Sequence, residues 1–236
     1  LEDLDGDGRL DLFVTTFDPK GAAGYYRNKG DGAFEEMTGS AGLDGQYGGL
    51  YCIQADYDND GLVDVFIPRG AWLQTPMRPS LLRNVGDGKF TDVTEAAGLA
   101  APMNSNSACW ADYDGDGRLD LFVCEERTTN KLYRNQGDGT FKDVTREAGL
   151  LDVSRGFCKG ACWLDFDNDG DQDLFANYLG GLSALFRNDA GKFVDATEAM
   201  GVRGPMTGFS CWAFDYDNDG NEDIFATCYD RSLGDV

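Results

Sequence analysis

Five nine-residue stretches of this chain carry aspartate at positions one, three, five and nine, with glycine always at position six. They comprise Asp3, Asp5, Asp7 and Asp11; Asp56, Asp58, Asp60 and Asp64; Asp112, Asp114, Asp116 and Asp120; Asp165, Asp167, Asp169 and Asp173; and Asp215, Asp217, Asp219 and Asp223. A sharp turn at the glycine would make the four carboxylates of each stretch converge. Two unit charges ~4 Å apart repel by about 4 kcal/mol at an effective dielectric of ~20, so several such pairs per loop oppose folding by on the order of ten kcal/mol unless a cation joins them. Hard oxygen donors, with a backbone carbonyl at position seven (Arg9, Leu62, Arg118, Asp171, Asn221), suit Ca²⁺, which accepts about six to eight oxygens. Mg²⁺ holds its waters and fits such a cage less well. The spacing therefore predicts about five Ca²⁺ sites. A merely acidic turn is the plainer alternative, and fivefold recurrence at one spacing argues against it. An EF-hand is excluded, because position twelve is Val14, Ile67, Val123, Ala176 or Ala226 instead of a bidentate Glu.

The elements that must hold these loops also repeat. The loops start 53, 56, 53 and 50 residues apart, and each runs into an apolar segment such as Leu121-Phe122-Val123. Between them lies a second motif, clearest at Leu132-Tyr133-Arg134-Asn135-Gln136-Gly137-Asp138-Gly139-Thr140-Phe141-Lys142-Asp143-Val144-Thr145, with copies beginning at Tyr25, Leu81 and Leu185. Asp-Gly flanked by aromatic and β-branched residues signals a hairpin. A Thr-x-x-Ala-Gly segment follows, as at Thr94 to Gly98, where Thr is expected to cap a helical turn that Gly stops. Each period thus reads as four antiparallel strands, the acidic loop joining the first two and the Gly-Asp-Gly turn the last two. Such repeats predict an all-β chain built of β-propeller blades. The expected segmentation is a partial blade over 1–43, blades over 44–99, 100–150 and 151–202, and a partial blade over 203–236. The chain opens inside a repeat, at Leu1-Glu2-Asp3, so further sequence is expected to flank it.

Composition narrows the function classes. With 42 acidic residues against 20 basic ones, the net charge is −22, which opposes nucleic-acid binding through phosphates. No apolar run approaches the ~18 residues of a membrane span. Histidine is absent, removing imidazole bases and His-ligated zinc. Glycine, at 32 residues, fits a chain of many tight turns.

The acidic loops together with the Leu-Tyr-Arg-Asn-x-Gly-Asp-Gly-x-Phe-x-Asp-Val-Thr motif resemble FG-GAP/VCBS repeats of the integrin-like propeller type, within the cartilage acidic protein and UnbV group. The resemblance covers nearly the whole chain. It implies a seven-bladed propeller whose loops hold Ca²⁺ through the residues named above, and members that serve mostly in adhesion or interaction.

Several other residues recur with the period. Tyr51, Trp110, Trp163 and Trp212 precede the loops and are expected to pack between blades, although a ligand channel is the competing role. Arg27, Arg83, Arg134 and Arg187 are expected to brace the acidic loops. Reflection about the third and fifth loops places Cys109 near Cys124 and Cys211 near Cys228, so cross-strand disulfides compete with buried thiols as their state. The long connection Pro68 to Ser80, with Arg69, Trp72 and Arg78, is a candidate contact loop. Together these features predict a non-enzymatic, calcium-binding scaffold, extracellular, at the cell surface or periplasmic. Its protein or glycan partner would bind the face opposite the calcium loops. The alternatives are a calcium-dependent, polysaccharide lyase-like enzyme, which would need a base beside an open metal position, and a structural subunit of a larger assembly.

Overall fold

A computed structural model describes residues 1–73, 75–151, 156–204 and 207–229. Among them every regular element is a β-strand, and no helix is long and apolar enough to cross a membrane. The strands β1 (Leu12–Val14), β2 (Gly24–Gly30) and β3 (Ala33–Glu36) form a three-stranded sheet. Four-stranded sheets follow: β4 (Ile53–Ala55), β5 (Asp64–Ile67), β6 (Ser80–Asn84) and β7 (Phe90–Asp92); then β8 (Ser105–Ala111), β9 (Asp120–Glu125), β10 (Lys131–Asn135) and β11 (Phe141–Asp143); then β12 (Phe157–Leu164), β13 (Asp173–Leu179), β14 (Ala184–Asn188) and β15 (Phe193–Asp195). The last sheet is two-stranded, β16 (Gly208–Phe214) and β17 (Asp223–Cys228). Sequence neighbours are sheet neighbours throughout, and the recorded pairs are antiparallel. This is the blade architecture that the repeat predicts.

The chain divides into two compact units, 1–106 with 135–142 and 107–134 with 143–236. Both build their cores the same way, because a strand presents alternate residues to its two faces. In the first unit Phe13 and Tyr25 of the first sheet pack against Val65, Ile67, Leu82 and Phe90 of the second. In the second unit Phe122 and Leu132 meet Leu174, Ala176, Phe186 and Phe193. On the other face of that fourth sheet, Leu164, Phe175 and Leu185 meet Ala213, Ile224 and Ala226. Within each unit, successive sheets therefore stack face to face.

Three expectations need correction. The Thr-x-x-Ala-Gly segment closes as a hydrogen-bonded turn, with Ala97 N–H donating to Val93 O at 2.8 Å and Leu99 N–H to Thr94 O at 3.0 Å. Thr94 does not cap it. Its hydroxyl accepts the N–H of Leu81 at 2.8 Å and donates to Asp92 Oδ1 at 2.6 Å. Strand four has left the sheet at this point while strand three still offers an N–H, and the threonine completes the ladder. Thr145 and Thr197 do the same for Leu132 and Leu185, each at 3.0 Å.

The aromatic residues ahead of the loops do not share one role. Trp163 packs between Phe122 and Phe193, with ring centroids 6.1 Å from each. Trp212 is 44% exposed and stacks on Phe225 of its own sheet, and Tyr51 lies outside the strands at 49% exposure. Two residues separate Trp212 from its loop where one separates Trp163, and a shift of one residue turns a side chain to the other face.

Reflection about the fifth loop, which places Cys211 near Cys228, does not hold in the register. A bulge between Gly208 and Cys211 sets Cys211 opposite Ala226, while Cys228 faces Gly208. Cys124 is buried with Cys158 of the next sheet in one core, with Cys109 packed against it, and no disulfide joins the cysteines in this structure.

Candidate metal centres

In the last four sheets the acidic loop joins the first and second strands and the position-nine Asp opens the second, while the first loop leads into β1, closed by a bridge between Glu2 and Asp11. The turn that gathers the carboxylates is real. Position six has positive φ in all five loops, from +84° at Gly8 to +93° at Gly170, a conformation that glycine adopts without steric cost.

Carboxylates at positions one, three and nine converge in every loop. One oxygen from each of Asp3, Asp5 and Asp11 lies within 4.8 Å of the others, and the same holds for Asp56, Asp58 and Asp64; Asp112, Asp114 and Asp120; Asp165, Asp167 and Asp173; and Asp215, Asp217 and Asp223. The three positions have different local work. Position one folds the loop: Asp56 accepts Asp60 N–H at 3.0 Å and Gly61 N–H at 2.9 Å, and Asp112, Asp165 and Asp215 repeat both bonds.

Position nine anchors the loop to the sheet. Asp11, Asp64, Asp120 and Asp173 are buried. One oxygen of Asp64 accepts the N–H of Tyr57, at position two, at 3.2 Å, and the other accepts the N–H of Asn84 on β6 at 2.8 Å. Asp173 does likewise with Phe166 at 3.1 Å and Asn188 at 2.7 Å.

Position three is partly buried at Asp5, Asp58 and Asp114 and exposed at Asp167 and Asp217. Asp58 Oδ1 and Asp114 Oδ1 are buried and receive no hydrogen bond. Burial, then neighbouring carboxylates, push the carboxyls of Asp5, Asp58, Asp114 and Asp167 above the usual range. Burial also pushes Asp64 up to about 7 and Asp173 to about 6, against the hydrogen bonds they accept. Orphaned buried oxygens and several hard, mutually repelling anions within a few ångströms fit a divalent cation, which would supply the missing partner.

Position five stands apart from these trios. Asp7, Asp60, Asp116, Asp169 and Asp219 each accept the N–H of position seven at 2.8–3.1 Å. Asp7 also pairs with Arg9, and Asp116 with Arg118.

The FG-GAP-like repeat model matches residues 3–67, 71–123, 112–176 and 165–226. The chain belongs to this family. Among curated proteins it is similar to human cartilage acidic protein 1, at 28% identity over 179 residues, and to the mouse protein at 27%. Each match covers 70% of this chain but only 26–27% of the relative, so the chain spans about a quarter of those proteins' length. Among solved structures it resembles a lectin from Agrocybe aegerita, described as recognising non-reducing terminal N-acetylglucosamine. That likeness has a TM-score of 0.50 at 18% identity and covers 92% of this chain and 60% of the lectin, which is a likeness of fold.

In this FG-GAP chain the recurring arginines do brace the loops, three of them at position three. Arg134 Nε lies 2.8 Å from Asp114, Arg83 Nε 3.4 Å from Asp58 and Arg27 Nε 3.9 Å from Asp5. Arg187 turns instead to Asp189, at 2.9 Å, in the hairpin where Asp-Ala-Gly replaces Gly-Asp-Gly.

Sequence reasoning missed the asparagine that follows each arginine. Asn84 Nδ2 donates to Leu4 O, at position two of the preceding loop, at 2.9 Å, and to Val63 O of its own loop at 3.1 Å. Asn188 bridges Tyr113 O at 2.7 Å and Gln172 O at 3.0 Å, and Asn135 reaches Tyr57 O at 2.8 Å. The signal was the Arg-Asn dipeptide in all four hairpin motifs.

Proposed function

We propose that the chain is a calcium-rigidified, non-enzymatic interaction scaffold of the extracellular space, cell surface or periplasm. Its protein or glycan partner would dock on the face opposite the acidic loops. The observation that carries this is the fivefold trio of converging carboxylates at one end of the strands. In this proposal each loop holds one Ca²⁺ through positions one, three, five and nine and the carbonyl of position seven, about five ions in all. Metal binding would draw Asp7 in from Arg9 and Asp116 in from Arg118. The blades would follow the segments 1–43, 44–99, 100–150, 151–202 and 203–236.

Two features of the opposite end support a docking role there. Trp72, in the Pro68–Ser80 connection, is 44% exposed, and exposed tryptophan is a favoured interface anchor. Gln74 of that connection lies outside the described residues. Arg69 of the same connection is buried and internal, donating to Ser80 Oγ at 2.6 Å and Gln46 Oε1 at 2.9 Å. In the second unit, Glu126, Arg127, Thr128, Thr129, Phe157 and Gly180 line a cavity of about 540 Å³ between the same class of connections.

Calorimetric titration of the chelated chain with Ca²⁺ tests the metal reading, with about five sites expected and a clear rise in thermal midpoint. An unchanged midpoint after chelation, with no heat of binding, would overturn it. Screening glycans and extracellular proteins against wild type and Trp72→Ala tests the docking face.

A further inference from the structure

Six of the seven cysteines lie in the second unit, and five of these sit on strands that meet between successive sheets: Cys109 on β8, Cys124 on β9, Cys158 and Cys162 on β12, and Cys211 on β16. Cys124 and Cys158 are fully buried in the core between the third and fourth sheets, and Cys109 packs at its edge. Cys162 and Cys211 pack into the next core, between the fourth and fifth sheets. Cys158 and Cys162 leave the same strand toward different cores because of a bulge between Cys158 and Gly160.

The backbones approach closely where this matters. A side chain at Gly160 would meet Phe209 O at 2.9 Å and Cys211 N at 3.2 Å, so β12 and β16 run in direct backbone contact beside the second pair. β9 and β12 lie against each other where Cys124 and Cys158 are buried, and β12 and β16 lie against each other where Cys162 and Cys211 pack.

We propose that Cys124–Cys158 and Cys162–Cys211 close as two disulfides, each bonding one sheet to the next. Both bonds would cross between sheets, unlike the within-sheet pairs that reflection about the loops suggests. This does not rest on the calcium reading.

Each bond forms by thiol–disulfide exchange with a small-molecule disulfide or a disulfide-carrying oxidoreductase. One thiolate attacks the oxidant to give a mixed disulfide and release a thiol. The second thiolate then displaces the remaining thiol. Two protons and two electrons leave the pair, and one oxidant disulfide becomes two thiols. In the finished fold, burial and neighbouring thiols hold Cys109 and Cys124 well above the ordinary thiol range, so little attacking thiolate exists there. Oxidation therefore belongs to the stage at which the sheets dock. Cys109, which feels both Cys158 and Cys162, is the natural competitor.

The test is to refold the chain in a glutathione redox buffer, alkylate it in denaturant and map its peptides without reduction. The expected result is four protected cysteines, with Cys124 linked to Cys158 and Cys162 to Cys211. Reductant should then lower the thermal midpoint of wild type, and by less in a Cys124→Ser, Cys158→Ser variant. Seven alkylated cysteines, or links from Cys109 to Cys124 or Cys158, or from Cys211 to Cys228, would overturn the assignment. If refolding gives no soluble protein, the same map on chain secreted by an oxidising host decides it by the same criteria.

Discussion

The backbone N–H of Asn84 donates to Asp64 Oδ1 at 2.8 Å, while the side chain of the same asparagine reaches back 2.9 Å to Leu4 O in the preceding acidic loop. One residue thus ties the anchor of its own loop to the backbone of the neighbouring one. Asn84 is buried, so removing its amide strands two carbonyls away from water. Asn84→Ala is expected to cost about 1–3 kcal/mol, the usual penalty for buried groups left unpaired. Asn28 makes its corresponding bond, to Leu10 O, at an exposed site, and Asn28→Ala should cost less than about 1 kcal/mol. Urea denaturation of the two variants checks the order, and equal losses would contradict it.

Asp58 should respond oppositely in the presence and absence of calcium. Its buried Oδ1 receives no hydrogen bond, and burial followed by Asp60 raises its carboxyl despite Arg83. In chelator, Asp58→Asn removes a charge that the fold disfavours, and the thermal midpoint should stay level or rise. In calcium the same variant should bind one ion fewer. Losing a site held at a hundred times its Kd forfeits about 2.7 kcal/mol. Midpoints measured with and without chelator should therefore cross. Parallel shifts in both conditions would mark Asp58 as purely structural.

Much of this was legible because the repeat writes its geometry five times. The four carboxylates, the position-six turn and the strand after each loop follow from spacing and from glycine's freedom at positive φ. The separate duties of position nine and position five were not legible. They depend on which oxygen meets the N–H of Asn84, a partner twenty residues away, and which meets that of Leu62, two residues from Asp60. The shared burial of Cys124 and Cys158 was hidden for another reason. Reflection about a loop predicts contacts within a sheet, whereas these two residues come from different sheets. Thr94 was misjudged because the N–H it satisfies, on Leu81, comes from strand three.

Acid should weaken the first unit through Asp92. Burial opposes its ionisation, but hydrogen bonds from Arg78, Thr94 and Gln46 outweigh that and hold the carboxyl at about 2. A carboxyl depressed in the fold from an unfolded value near ~3.9 contributes stability above that value. The contribution is lost as pH falls from about 4 toward 2. Asp92 is partly exposed, and screening discounts the effect to roughly 1–2 kcal/mol. Asp92→Asn should therefore be less stable than wild type at pH 7, with the gap narrowing as pH drops through that window. A gap that stays constant with pH would assign the loss to packing alone.

Two of the three tryptophans of the second unit, Trp163 and Trp212, give a test of the stacked-sheet cores. Trp163 lies between Phe122 of one sheet and Phe193 of its own, so truncation opens a cavity in the core they share. Trp163→Ala should cost about 3 kcal/mol or more, in the range for large aromatic deletions. Trp212 also precedes an acidic loop but stands one register step away and 44% exposed, with Phe225 stacked on it at 4.7 Å. Trp212→Ala removes a surface stack worth roughly 1 kcal/mol. Acrylamide quenching of each single-tryptophan variant, alongside denaturation, separates the cases, with Trp163 expected to be shielded and Trp212 accessible. Equal accessibility would mean that both residues face the same way, and the register assigned to the fifth sheet would be wrong.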